Sequence, residues 1–292
     1  QIAEFARVWE DLSPKSFDLK KDSLFHASFI KISPDQQTLL ITLPALIADS
    51  KSLQIFVNEL NQEYIACLEG NELPEAELQY ADIAEWQNQL LEAEEAKLGK
   101  EYWEKQDISN RFNLKLPFEK QSEEFQPKIQ KNIIDSDLAT KIENIAKQLD
   151  ISISDFFLTC WLTLIWRLTG KLNLVVGLVG NGRKYEDLEQ ALGLFAKHLP
   201  FSFQVQENLK FNELLEQVKA SISDLLKWQD YFTWEQFIPP TENYSQQSFI
   251  PLSFEFIELN NISQNADFKI DRIYTCTDKY KIKLVITQNN NL

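Results

Sequence analysis

The residues best placed to do chemistry lie where an apolar strand gives way to a helical pattern, in Leu43-Pro44-Ala45-Leu46-Ile47-Ala48-Asp49-Ser50. Asp49 is the ionisable group of this stretch. A carboxylate there can accept from the free N–H groups of a first helical turn. Ser50 and Ser52 add hydroxyls, but no base stands beside them, so they read as first-turn residues rather than nucleophiles. The chain has only two histidines. His26 sits between Phe25 and Ala27 in a strand-like stretch and reads as structural. His198, in Leu192–Pro200, could move protons only if the fold brought it to a cleft. No Gly-x-Ser-x-Gly elbow, phosphate-binding glycine loop, Rossmann fingerprint or His-Glu-x-x-His helix occurs. Cys67, Cys160 and Cys276 are isolated and lack metal-ligand spacing, so no metal site is expected.

Elements must position these groups. Leu24–Ile32 and Thr38–Leu43 alternate as strands do, with turn chemistry in Ser33-Pro34-Asp35-Gln36 between them. From about Ser50 to Cys67, the residues Leu53, Phe56, Val57, Leu60 and Tyr64 share one helical stripe, capped by Asp49 or Ser50. Tyr80–Lys105 reads as one long helix with Ile83, Trp86 and Leu90 inward. The polar stretch Asp107–Lys128, which carries Pro117 and Pro127, reads as a linker. A strand is expected near Ile129–Ile134, then a helix capped by Asp135 or Ser136 with Leu138, Ile142, Ile145 and Leu149 on its inner face. The next helix is apolar on nearly all sides, capped by Ser154 and ended by Gly170. Leu174–Val179 is a continuous apolar strand, and Phe201, Phe203 and Val205 alternate with polar residues in another. A helix from about Phe211 to Trp228 precedes strands near Ile250–Leu259 and Tyr280–Thr287. The economical arrangement is α+β, with two successive lobes of mixed sheet and helices: residues 1–115, a linker over 116–128, and residues 129–292.

Composition narrows the function classes. At 292 residues and 44% apolar content, with 20 Phe and 7 Trp, the chain can bury a sizeable core. Its formal charge of -15 argues against nucleic acid and against anionic membrane surfaces, which need a basic face. The acidic residues gathered between Glu72 and Glu104 read as a solvated helix face. The longest apolar run, Phe156–Leu168, is about 13 residues, too short to cross a bilayer. The isolated cysteines fit a reducing, cytoplasmic setting. The absence of Met predicts a piece of a longer polypeptide.

Five segments together carry a resemblance. Leu43–Ser50 resembles the His-His-x-x-x-Asp-Gly segment of the condensation domains of nonribosomal peptide synthetases. Asp49 matches its aspartate, Pro44 and Ala45 stand at the two histidines, and Ser50 stands at the glycine. Tyr80-Ala81-Asp82-Ile83-Ala84-Glu85-Trp86-Gln87, followed by Glu101-Tyr102-Trp103, is similar to the Tyr-Ala-Asp-x-Ala-x-Trp-Gln helix and Tyr-Trp of that family. Val176–Arg183 resembles its strand and Gly-Arg turn. Leu192–Pro200 resembles its Ile-Gly-x-Phe-x-Asn-Thr-Leu-Pro stretch, with Lys197 at the Asn and His198 at the Thr. Phe249–Phe256 resembles the strand that follows.

The resemblance implies two chloramphenicol acetyltransferase-like lobes in a V, the N-terminal one incomplete. It implies amide formation between acyl and aminoacyl thioesters on carrier domains, next to an adenylation domain. No cofactor is expected on the chain itself, because the phosphopantetheine arms come with the carriers. Asp49 would form a structural ion pair with an arginine, expected in a segment preceding this chain, which would leave Asp49 unpaired here. Asn181, Arg183, Lys197, His198 and Ser253 are the candidates for the substrate channel. Ala45 has no proton to give or accept, so two readings stand: a variant acyltransferase, or a catalytically silent scaffold that docks carriers or neighbouring domains.

Overall fold

The computed structural model describes residues 17–34, 36–71, 79–109, 114–117, 119–120, 128–237, 250–259, 268–276 and 279–289. The helix-like lead from Gln1, most of the linker with Pro127, and Phe249 lie outside the described residues. The strands β1 (His26–Ser33) and β2 (Gln36–Thr42) form an antiparallel hairpin, with Ala27 opposite Ile41 and Phe29 opposite Leu39. Helix α1 (Ser50–Glu69) follows, with Asp49 at its N-cap and Gly70 closing it in the left-handed conformation at φ 75°.

The buried face of α1 differs from the apolar stripe read in the sequence. Ser52, Gln54, Ile55 and Asn61 are buried, whereas Leu53, Phe56, Val57 and Leu60 are half-buried and Tyr64 is exposed. Polar residues face inward because they bond to later parts of the chain. The Asn61 carboxamide donates to the Phe268 carbonyl at 2.9 Å and accepts from the Phe268 N–H at 2.8 Å.

The long helix expected over Tyr80–Lys105 is two helices, α2 (Tyr80–Glu92) and α3 (Ala96–Glu104). The chain turns extended at Ala93, with ψ 153°, although Ala-Glu-Glu-Ala is good helix sequence. Tertiary packing overrides propensity here. The break lets α3 lay Gly99 against the Tyr231 ring, which a Cβ would meet at 2.4 Å, and bury Trp103 completely among residues of the second half. The Trp103 indole N–H finds the Trp228 carbonyl at 2.8 Å.

Ile129–Ile134 is not a strand; it has no ladder partner among the described residues, and Ile133 is 85% exposed. Helix α4 (Ser136–Gln148) starts at Asp135, whose carboxylate accepts from the Leu138 N–H at 2.9 Å. It buries Ile142 and Ala146, while Leu138, Ile145 and Leu149 are exposed, so its inner face is narrower than the sequence stripe. Helix α5 (Ile153–Thr169) is capped by Ser152, not Ser154, because Ser152 and Asp155 satisfy each other's backbone N–H groups in a capping box. Gly170 ends it as expected, at φ 66°.

The second half is built on a four-stranded sheet of order β4-β3-β5-β6. The strand β3 (Asn173–Gly180) runs antiparallel to β4 (Lys197–Gln204) and parallel to β5 (Leu252–Leu259), which is parallel to β6 (Ile282–Asn289). Leu158, Leu162 and Ile165 of α5 and Leu214, Val218 and Leu225 of α6 (Phe211–Lys227) pack on one sheet face, against Val176, Leu199, Phe201, Leu252 and Phe254. Each such side chain contributes about 1.5–3 kcal/mol of burial.

Candidate functional site

The strand-to-helix segment leaves β2 at Thr42 and turns at Pro44, whose carbonyl accepts from the Ile47 N–H at 3.1 Å. Pro44 and Asp49 are buried, Ala45 and Ser50 are half-buried, and Leu46 is 63% exposed. Asp49 is the centre of the arrangement. Its Oδ1 caps α1 by accepting from the Ser52 N–H at 2.8 Å. Its Oδ2 accepts from the N–H groups of Phe195 and Ala196, each at 2.9 Å, and from Arg183 Nη1 at 2.9 Å.

Asp49 is therefore not unpaired. Its arginine is Arg183, in the Asn181-Gly182-Arg183 turn after β3, and both side chains are 1% exposed. An arginine in a preceding segment is not needed. The guanidinium also donates from Nη2 to Ser52 Oγ at 2.7 Å and to the Ala191 carbonyl at 3.2 Å, with its Cζ 4.3 Å from the Phe195 ring centroid. Ser52 Oγ in turn donates to the Gly193 carbonyl at 2.5 Å and accepts from the Gly193 N–H at 3.0 Å. Gly193 admits no side chain, since a Cβ would come within 2.1 Å of the Tyr80 ring.

Electrostatics favour the charged form of Asp49. Burial alone would push its pKa up, but the Arg183 hydrogen bond and charge, with the Ser52 and Phe195 N–H groups, hold it below the ordinary carboxylate value. Removing one partner of such a buried pair costs about 3–5 kcal/mol. The clamp thus fastens the start of α1 to the turns that flank β3 and β4.

The other sequence candidates fall into different places. Asn181 is exposed beside the clamp, and its side-chain oxygen accepts from Arg183 Nη1 at 3.4 Å. Lys197, at the start of β4, donates to the carbonyls of Gln229 and Asp230 at 3.3 and 3.1 Å, and burial lowers its pKa. Ser253 is buried and donates to the Gly177 carbonyl at 3.2 Å. His198 pairs with Val179 across β3 and β4. Burial, then the Lys283 charge, depresses its pKa to about 4, against the opposing pull of Glu255, so it is neutral at pH 7. Glu255 and Lys283 form a buried ion pair at 2.5 Å, and Thr275 Oγ1 donates to the same carboxylate at 3.2 Å. Among the described residues, no group of three His, Cys, Asp or Glu side chains could hold a metal ion.

Sequence reasoning missed the functions of Ser52 and Phe195 in this arrangement. The signal for Phe195 was its place two residues after Gly193 in an otherwise apolar stretch. Nothing local marked Ser52 as more than a first-turn residue.

The condensation-domain family model matches residues 1–290. The chain belongs to the condensation-domain family. Bacitracin synthase 3 of Bacillus licheniformis is 28% identical over 85% of the chain, and gramicidin S synthase 2 of Aneurinibacillus migulanus is 26% identical over 87%. The chain spans only 4% and 6% of those two relatives. Among solved structures, the first condensation domain of the CDA synthetase superposes with a TM-score of 0.74 at 15% identity, covering 91% of this chain and 58% of that one. The condensation domain of the monacolin K polyketide synthase MokA gives 0.71 at 19% identity, covering 88% and 62%. The fold is the α+β, chloramphenicol acetyltransferase-like fold of these domains. No single described helix is long and apolar enough to cross a membrane.

Proposed function

We propose that this condensation domain joins two carrier-bound thioesters by orienting them, without exchanging protons with them through a histidine. The acceptor amine attacks the donor thioester carbonyl; the C–N bond forms, the C–S bond breaks, and the ammonium proton ends on the departing thiolate. Phosphopantetheine arms of partner carrier domains present both substrates, and an adjacent adenylation domain of the same synthetase is a further partner, in a cytoplasmic setting. The observation that carries this reading is the buried Asp49–Arg183 clamp, which fixes the Leu43–Ser50 segment against the β3 and β4 turns.

Ala45 occupies the position where the family resemblance puts the second histidine. Losing a positioned acid–base group forfeits about 10²–10⁴ in rate. Orientation alone supplies about 7–11 kcal/mol, and a thioester is already activated toward an amine. Slow condensation is the expected consequence.

A second reading has its own support. The clamp would hold the fold equally well in a silent scaffold that docks carriers or neighbouring domains. One structural neighbour, the X-domain from teicoplanin biosynthesis, is solved as a complex with OxyB, with a TM-score of 0.70. Mass spectrometry of the parent synthetase with loaded flanking carriers separates the two. Condensed product supports the variant enzyme; none with any loaded acceptor leaves the scaffold.

A further inference from the structure

The clamp has a second layer behind it. Arg183 reaches Asp49 from a turn that begins at Gly180, the last residue of β3, and this turn packs on Gln229, in the short 3-10 turn Gln229–Tyr231 after α6. Gln229 is buried, and its carboxamide oxygen accepts from the Gly182 N–H at 3.3 Å. The same oxygen would lie 3.0 Å from a Cβ at Gly180, a tight contact that glycine relieves. Gly182 has φ +70°, and a Cβ on it would come within 2.0 Å of the Phe195 carbonyl oxygen. The turn is thus pinned between Gln229 on one side and Phe195 on the other, and Phe195 itself donates to Asp49.

Gln229 is in turn held by β4. Lys197 Nζ bonds to both the Gln229 and Asp230 carbonyls. Asp230, whose side chain is 12% exposed, sits 3.9 Å from Lys184 Nζ on the far side of the same turn. A continuous path of contacts therefore runs from Lys197 through Gln229 and Gly182 to Arg183, and from there to Asp49, Ser52 and the start of α1.

We propose that Gln229, seated by Lys197, is a positioning residue that sets the Gly180–Arg183 turn so that Arg183 can close on Asp49. This rests on the reading of the Leu43–Ser50 segment as the reacting region, and deepens it. A buried hydrogen-bond acceptor on the turn N–H restricts where the guanidinium can sit, and beside it the turn offers only the exposed Asn181 side chain, whose oxygen is 3.4 Å from Arg183 Nη1.

The test is carried out on the chain without substrate, so that failure of the catalytic reading, seen in a silent condensation assay, is told apart from failure of the positioning role. Gln229→Met keeps length and apolar volume but removes the acceptor, while Gln229→Glu retains an acceptor oxygen. Hydrogen exchange at the Gly182 amide is expected to speed at least tenfold in Gln229→Met and to return toward the parent value in Gln229→Glu. The factor by which Asp49→Asn lowers the folding equilibrium constant is expected to shrink at least tenfold in the Gln229→Met background, since a misplaced Arg183 has less to lose. Unchanged Gly182 exchange together with additive effects of the two substitutions would overturn the proposal. Should Gln229→Met not fold, Lys197→Met is read in the same two ways with the same expected and opposing outcomes.

Discussion

At the scale of single residues, Asp49 serves three partners with one carboxylate: a helix start, a β4 turn and a guanidinium. Asp49→Asn keeps the shape and removes the charge, and is expected to cost about 3–5 kcal/mol in urea unfolding. Arg183→Lys should cost nearly as much, since one ammonium cannot reach Asp49, Ser52 and the Ala191 carbonyl in a fixed fork. The pH dependence follows from the sign of the shift. The folded-state pKa of Asp49 lies below the unfolded value, so its stabilisation is present above about pH 4 and is lost as pH falls through the folded pKa. The stability difference between parent and Asp49→Asn should therefore narrow in acid. His198 acts in the same direction over the adjoining, higher pH interval. Its pKa is depressed from 6.5 to about 4, so the unfolded chain takes up a proton across that interval while the folded chain does not. Stability should fall as pH drops from 6.5 toward 4, and His198→Gln should flatten that slope.

At the scale of elements, helix starts are where sequence and structure can be compared most directly. Ile151-Ser152-Ile153-Ser154-Asp155 offers two serines, and only Ser152 stands three residues before an acidic side chain able to return its hydrogen bond. That pattern was legible, and the apolar run beginning at Phe156 drew the cap too far forward. Ser152→Ala should cost about 0.5–2 kcal/mol in thermal or urea unfolding, whereas Ser154→Ala should cost less than half as much. Strands β1 to β6 and the termination at Gly170 were legible because their alternation, or their apolar runs bounded by turns, depends on nearby residues alone. The break at Ala93 was not, because it is imposed by α3 seating Gly99 and Trp103 on a distant part of the chain. The inward polar face of α1 escaped for the same reason: Ser52 and Asn61 are satisfied by Gly193 and Phe268, far along the sequence. Arg183 was recognised as part of a Gly-Arg turn, but its pairing with Asp49 spans 134 residues and leaves no local trace.

At the scale of the whole molecule, the clamp is intact while Pro44 and Ala45 beside it carry no ionisable side chain, and one substitution asks what that means for the proposed reaction. Ala45 is half-buried, next to the exposed Leu46 and Ile47 and after a buried Pro44 that fixes the backbone. An imidazole at this position can therefore point outward from the segment without displacing the core. If the domain condenses slowly by orientation alone, Ala45→His in the parent synthetase should raise the single-turnover rate by up to about 10²–10⁴ and introduce a pH dependence near the histidine pKa. The stability of the domain should stay within about 0.5 kcal/mol, because the position lies outside the core and the clamp. A large gain identifies an enzyme that has lost a proton carrier but kept its substrate alignment. Product from neither form, with both carriers loaded and both proteins folded, means that alignment is lost as well. The Asp49–Arg183 pair then serves only to hold a docking surface in shape.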